Sequence, residues 1–301
     1  MIKLNDHAIE QDCFGDGTLK CALPPINSAG SLIVITWCYD DDAELFTLWS
    51  LVCYIRDRYP DITLNLAMPY IPHARQDREV SHRLFTLKYF AKLINAMNFR
   101  KVFVLDPHSD VSMAVLDRVV PMHSIFIPDI DLTRHNGDVY TVMYPDAGAA
   151  KKYGSQEDVT NPIIGNKHRN EEGRIDGYEL LNFVEGTKNV IIRDDICSYG
   201  GTFVAAAKEL KKRGVEKIML YVSHCENNIL KGEVLDWIDV VYTTDSICTV
   251  QHPNVRILKS FRTGKCSPPE QGERWGHPHH QYAGHYAQCL PPHPEAYPDG
   301  W

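Results

Sequence analysis

No apolar run in the sequence reaches the roughly 18 to 20 residues that a membrane-crossing helix needs, so nothing in it reads as a membrane span. Met1 to Glu10 lacks the basic-then-apolar layout of a secretory leader, and a cytoplasmic setting is the expectation. Positive charge is in deficit: 31 Lys and Arg against 39 Asp and Glu leave a formal charge of -8. Nonspecific attraction to nucleic acid or anionic lipid is therefore not expected, although a local basic site for a small anion is compatible with an acidic chain. Nine cysteines contain no C-x-x-C pair, which speaks against a disulfide framework or a structural zinc site and leaves reduced thiols.

What the chain does have is enough apolar residue, 44% of 301, for a sizeable core, and a length that suggests two domains. Short β-rich runs alternate with amphipathic stretches, the pattern of parallel α/β construction. Strands are expected at Leu32 to Trp37, Ile62 to Met68, Val102 to Asp106, Tyr140 to Tyr144, Asn189 to Asp194, Lys217 to Ser223 and Asp239 to Thr243. A first helix is expected behind the possible caps Asp41 and Asp42, with Leu45, Leu48, Trp49, Val52 and Ile55 on one face. A second runs from about Leu84 to Met97, and a third follows Gly200-Gly201 and stops at Gly214. Polar sequence from Gly165 to Gly177 reads as a mobile loop carrying Lys167, His168 and Arg169. The halves share one βαβ grammar, giving expected domains at 1–138 and 139–260 and a Pro, Gly and His-rich tail at 261–301.

The sharpest chemical signal is Arg193-Asp194-Asp195-Ile196-Cys197-Ser198-Tyr199-Gly200-Gly201-Thr202. A strand ends in two carboxylates, a loop with two glycines follows, and a helix begins. Backbone N–H groups at a helix start can cradle a phosphate, glycine permits close approach, and Thr202 adds a hydroxyl. Two acids beside such a cradle suit the adjacent hydroxyls of a ribose. This is not the G-x-x-x-x-G-K-[ST] nucleotide loop. Taken alone, the double Asp reads as an ordinary acid-capped turn.

This loop resembles the phosphoribosyl-diphosphate motif of type I phosphoribosyltransferases and of ribose-phosphate diphosphokinases, and four further segments are similar to the diphosphokinases. They are Phe14-Gly15-Asp16-Gly17, the run Ala74-Arg75-Gln76-Asp77-Arg78, Asp106-Pro107-His108 and Pro145-Asp146-Ala147-Gly148; Lys167-x-Arg169 stands where the family has the Lys-x-Arg of its flexible loop. The resemblance implies an α/β fold of two similar phosphoribosyltransferase-like domains with parallel sheets. It implies transfer of diphosphate from ATP to the anomeric hydroxyl of a ribose 5-phosphate group, with release of AMP, in a magnesium-dependent homo-oligomer of nucleotide biosynthesis.

By the same resemblance Lys167 and Arg169 are the catalytic cations, and Phe14, Asp16, Arg75, Gln76, Asp77 and His108 bind ATP, Phe14 and Asp16 from a neighbouring subunit. Asp194, Asp195, Ser198, Tyr199, Gly200, Gly201 and Thr202 hold the acceptor, while His108 and Asp146 lie close to Mg2+. Each has a plainer alternative: a hydrogen-bonded strand-end His108, solvated charges at Lys167 and Arg169, a surface ion-pair cluster from Arg75 to Arg78, and a core Phe14.

Departures from the family pattern cluster at the acceptor loop. The family's Asp-Thr-Gly-Gly-Thr is here Ser198-Tyr199-Gly200-Gly201-Thr202, which loses an acid and gains a phenol. That ring either narrows the 5-phosphate pocket or forms a wall for something attached to the phosphate. The second case suggests a larger acceptor such as ADP-ribose, giving ADP-ribose pyrophosphate and a link to NAD metabolism. Thr18 replaces the family's Glu in the adenine loop, the family's first strand and helix are expected to be missing, and the segment Glu79 to Thr86 is short. Two other readings stay open: a phosphoribosyltransferase, and a non-catalytic regulatory homologue. Five histidines and five prolines crowd the last 27 residues, which read as a packing or interface segment without a structural-zinc spacing.

Overall fold

In the computed structural model, the described residues are 1–5, 7–26, 32–122, 134–135, 138–154, 157, 159–169, 175–258 and 261–262, with the backbone alone at 134, 135, 169, 175 and 176. Nearly all of the tail lies outside them.

Val, Ile and Leu dominate the strands that are covered on both faces, as parallel sheets require. One sheet has six strands in the order His7–Ala8, Ile2–Leu4, Leu32–Trp37, Thr63–Ala67, Lys101–Leu105 and Val119–Met122. Its last four strands are parallel, while Ile2–Leu4 runs antiparallel to Leu32–Trp37. The second sheet has seven strands, in the order Ile175–Leu181, Ile163–Arg169, Thr141–Tyr144, Asn189–Cys197, Lys217–Cys225, Val240–Thr244 and Val255–Leu258. All its neighbouring pairs are parallel except Ile163–Arg169 with Ile175–Leu181. Two largely parallel α/β sheets are therefore present, as the sequence implies.

The three anticipated helices form at Glu44–Arg58, Thr86–Ala96 and Gly201–Lys212. Leu87, Phe90, Ala91 and Ile94 are buried in the second, and Phe203, Val204, Ala206, Ala207 and Leu210 in the third. Each fully buried large apolar side chain stabilises the fold by about 1.5–3 kcal/mol. In the first helix the buried face comprises Leu48, Leu51, Val52 and Ile55, while Trp49 is turned outward. Asp41 accepts from the backbone N–H groups of Ala43 (2.9 Å) and Glu44 (3.3 Å), whereas Asp42 accepts from the Tyr39 hydroxyl instead.

One element corrects the sequence reading. Lys167, His168 and Arg169 lie on a strand: Ile163–Arg169 pairs with Ile175–Leu181, with a register shift between His168 and Arg169. Its surface alternation is masked in sequence by glycines and charges, and ladder pairing decides the conformation. At the other end of the chain a strand, Ile2–Leu4, completes the first sheet's edge region.

Candidate active site

The carboxyl ends of the parallel strands of both sheets supply the groups that meet at one cleft, the usual place for a ligand in open α/β sheets. Asp106 directly follows the strand Lys101–Leu105 and has a positive φ of 42°, a sparsely populated conformation for a non-glycine residue. Its carboxylate is held by the other half of the molecule. Arg193 donates to it (3.2 Å), as do the Tyr153 hydroxyl (2.9 Å), the Ser223 hydroxyl and Lys152 (2.8 Å). Although burial opposes ionisation, Arg193, Lys152 and Ser223 hold the Asp106 carboxyl well below the usual carboxylate range.

Arg193 is itself only 1% exposed. It also donates to Glu157 (3.1 Å) and lies between the rings of Tyr153 (3.8 Å) and Tyr221 (4.5 Å). A buried guanidinium needs such partners, because its desolvation is repaid only by good geometry. Burial pushes Glu157 up from the ordinary carboxylate value, against the pull of Arg193 and Tyr144.

On this support stands the double acid. Asp195 Oδ2 accepts from His108 Nδ1 at 2.7 Å and from Lys152 Nζ at 3.4 Å. Burial alone would raise Asp195, but the hydrogen bond from His108 and the Lys152 charge bring it to about 2. Asp194 is driven the other way, well above the carboxylate range, by burial and by the negative charge of Asp195. His108 is raised above its ordinary value chiefly by the hydrogen bond to Asp195. The cleft wall is completed by Tyr70, Ala74, Arg75, Pro107 and His224.

The glycine loop follows directly. Gly200 has φ +76°, and a Cβ there would come within 1.9 Å of Val234 Cγ2, so backbone and packing both demand glycine. At Gly201, the first residue of the helix, a Cβ would meet nothing within 4 Å. The N-terminus of a 12-residue helix thus opens onto free space beside two acids. Ser198 donates to Glu226 Oε2 (2.5 Å), and Tyr199 is 55% exposed.

The remaining sequence-derived residues are distributed as follows. Arg75 reaches across the cleft to Glu226 Oε1 (3.1 Å), Gln76 accepts from the Thr86 hydroxyl, and the buried Asp77 pairs with Arg78 (3.0 Å). Asp146 caps the helix Ala147–Tyr153 by accepting from Ala149 N (2.9 Å), and its other oxygen pairs with Lys167 Nζ at 2.5 Å. Arg169 is placed by its backbone at the end of the same strand as Lys167. Phe14, 57% exposed, sits at the tip of the hairpin Glu10–Cys13 and Leu19–Ala22. Asp16 there accepts from the Thr18 backbone (3.0 Å) and hydroxyl (2.7 Å). The structure brings Arg75, His108 and Asp195 to one cleft, to which Ser198 is tied through Glu226; among the described residues neither Phe14 nor Asp16 lines it.

No family model matches the chain. It is 32% identical over 212 residues to the ribose-phosphate pyrophosphokinase of Marinomonas sp. (strain MWYL1), covering 65% of this chain and 65% of that protein. With the enzyme of that name from Vibrio cholerae it shares 27% identity over 257 residues, 82% of this chain and 80% of the relative. Among solved structures, phosphoribosylpyrophosphate synthetase from Mycobacterium smegmatis superposes with a TM-score of 0.66 at 17% identity, covering 83% of this chain and 85% of that one. The chain is thus similar over most of its length to proteins named ribose-phosphate pyrophosphokinase. It spans slightly less than two thirds of the length of the Marinomonas relative.

No cluster of three or more metal-ligating side chains is gathered among the described residues. The donor set nevertheless fits a hard divalent cation of the kind that keeps most of its waters. Such an ion takes one or two carboxylates and completes its shell with substrate phosphates. The adjacent acids Asp194 and Asp195 supply oxygen donors, and the raised Asp194 marks negative charge that a cation would relieve. His108, engaged by Asp195 through Nδ1, belongs to the carboxylate's support in this arrangement.

The sequence alone does not single out Lys152, Glu226, Tyr153 or Glu157. Lys152 meets Asp106 from 46 positions away and Arg75 meets Glu226 from 151. The available signal was positional: Glu226 directly follows the strand Lys217–Cys225, where an active-site residue of such a sheet belongs.

Proposed function

We propose that the chain is an ATP-dependent diphosphotransferase. The anomeric oxygen of a ribose 5-phosphate group attacks the β-phosphorus of ATP, the bond from that phosphorus to the α–β bridging oxygen breaks, and AMP leaves as the hydroxyl proton is lost. The observation that carries this reading is the double acid Asp194-Asp195, cross-braced by His108 and opening directly onto the free helix start at Gly201.

Asp194 and Asp195 hold the ribose hydroxyls, and the N–H groups from Gly200 to Thr202 receive the acceptor's phosphate. Arg75, Gln76 and Asp77 position the nucleotide. Lys167 and Arg169 stabilise the charge that gathers on the transferring phosphoryl oxygens, which is the main demand of phosphoryl transfer. Asp146, already joined to Lys167, sets that ammonium's position. Phe14 stacks on adenine from a second subunit, and Asp16 offers it the oxygen that Thr18 does not use. His108 and Asp146 would hold Mg2+ with the nucleotide phosphates, where it would neutralise their charge, and Asp194 and Asp195 would reach the ribose hydroxyls directly or through such an ion.

The exposed ring of Tyr199 favours an acceptor that extends beyond its 5-phosphate, such as ADP-ribose, over ribose 5-phosphate itself. Incubation with ATP, Mg2+ and either acceptor, followed by mass spectrometry, tests both parts. Gain of a diphosphate by ADP-ribose supports the larger acceptor, and modification of ribose 5-phosphate alone removes it.

A further inference from the structure

Glu226 lies outside every motif that carries the resemblance, yet it joins residues of two of them. Its Oε1 accepts from Arg75 Nη1 at 3.1 Å, and its Oε2 accepts from Ser198 Oγ at 2.5 Å and from Asn228 Nδ2 at 3.2 Å. Its own backbone N–H donates to the carbonyl of Cys197 at 2.8 Å, tying it to the base of the glycine loop. Arg75 belongs to the segment after the strand Thr63–Ala67 of one sheet, and Ser198 to the loop after Asn189–Cys197 of the other. The loop, which carries Ser198 in place of an acid, thus draws a carboxylate from the end of the neighbouring strand.

We propose that Glu226 is a positioning residue for both substrates, fixing the Arg75 guanidinium toward ATP with one carboxylate oxygen and the Ser198 loop toward the acceptor with the other. The inference rests on the transferase reading for the identity of those substrates. Its physical basis is preorganisation. Arg75 is 53% exposed and long, so without a partner its rotamer freedom must be surrendered when a phosphate binds. The contact with Glu226 uses one of five guanidinium donors and leaves the others for a ligand. On the loop side, a hydroxyl held by a charged acceptor forms one of the stronger hydrogen bonds. It orients the turn that precedes Gly200 and Gly201.

Calorimetric titration of the full chain with ATP–Mg2+, and separately with ribose 5-phosphate and ADP-ribose, tests this without requiring turnover. Glu226→Ala should weaken both ATP and the acceptor that the wild type binds by about tenfold each, the loss expected of a removed charged contact. Glu226→Gln, nearly isosteric, keeps an oxygen for Ser198 but loses the charge facing Arg75. It should weaken ATP while leaving the acceptor within about twofold. Combining Glu226→Ala with Arg75→Ala should weaken ATP no further than Arg75→Ala alone, because the two act as one unit.

Unchanged affinities in Glu226→Ala, or fully multiplicative effects in the double variant, would overturn the proposal. Wild-type protein that binds both ligands yet releases no AMP would defeat the transferase reading while the affinities still judge Glu226. Wild-type protein that binds none of the ligands would defeat both.

Discussion

His108 Nδ1 lies 2.7 Å from Asp195 Oδ2, joining a residue just beyond the strand Lys101–Leu105 to one inside the strand Asn189–Cys197 of the other sheet. The pair is polarised: the imidazole is raised, and the carboxyl is lowered to about 2. Because the histidine is 39% exposed, the stabilisation is of the order of 1 kcal/mol rather than that of a buried pair.

Its pH dependence has a definite sign. A raised histidine contributes stability that is fully present below its ordinary value of 6.5 and is lost as pH climbs through the raised value. A lowered aspartate contributes stability that is present above 3.8 and is lost as pH falls through about 2. Denaturant unfolding of wild type and His108→Ala should therefore differ most between pH 4 and pH 6.5, converging in mild alkali. A gap that widens as pH rises into the alkaline range would contradict the pairing.

Arg193→Ala should be among the most damaging substitutions in the chain. It leaves Asp106 and Glu157 buried without their shared cation and empties the space between Tyr153 and Tyr221. A loss of about 3–5 kcal/mol, or failure to accumulate as soluble protein, is expected. Urea unfolding of the purified variant checks it.

The two loop glycines should part company. Gly200→Ala meets both a positive φ and Val234, and should destabilise the protein by about 1–3 kcal/mol. Gly201→Ala has open space, so the melting temperature should stay near that of wild type. Its methyl group would project into the free space at the helix start and should weaken acceptor binding. Thermal melts and acceptor titrations on the two variants separate these effects.

Lys167→Ala should lower AMP release by about a hundredfold or more, the scale of losing one group that stabilises transition-state charge. Asp146 retains its cap on Ala149, so the circular dichroism spectrum and melting temperature should change little. Activity near the wild-type level would remove Lys167 from the catalytic set.

The contrast between Lys167 and Glu226 shows how far the sequence could be read. Leu87, Phe90, Ala91 and Ile94 announce their helix because burial imposes a period, and the acids and glycines from Asp194 to Gly201 stand together because one turn uses them all. Its motif marks Lys167 but not its strand, since Asn166, Lys167 and His168 hide the alternation of a strand whose pairing is set by Tyr178 and Glu179 across the ladder. Glu226 and Lys152 were invisible because their meaning lies in partners from distant segments. Asp106 was recognised as part of a motif, yet its role as an anchor between the halves depends on Tyr153, Arg193 and Ser223.

Phosphorus NMR of wild-type protein incubated with ATP, Mg2+ and, in parallel, ribose 5-phosphate or ADP-ribose tests the proposed transfer most directly. AMP should appear mole for mole with a diphosphate ester on the acceptor's anomeric oxygen, and neither should form when the acceptor is omitted. Appearance of ADP or free pyrophosphate in place of that ester, or no acceptor-dependent AMP with either sugar phosphate, would contradict it.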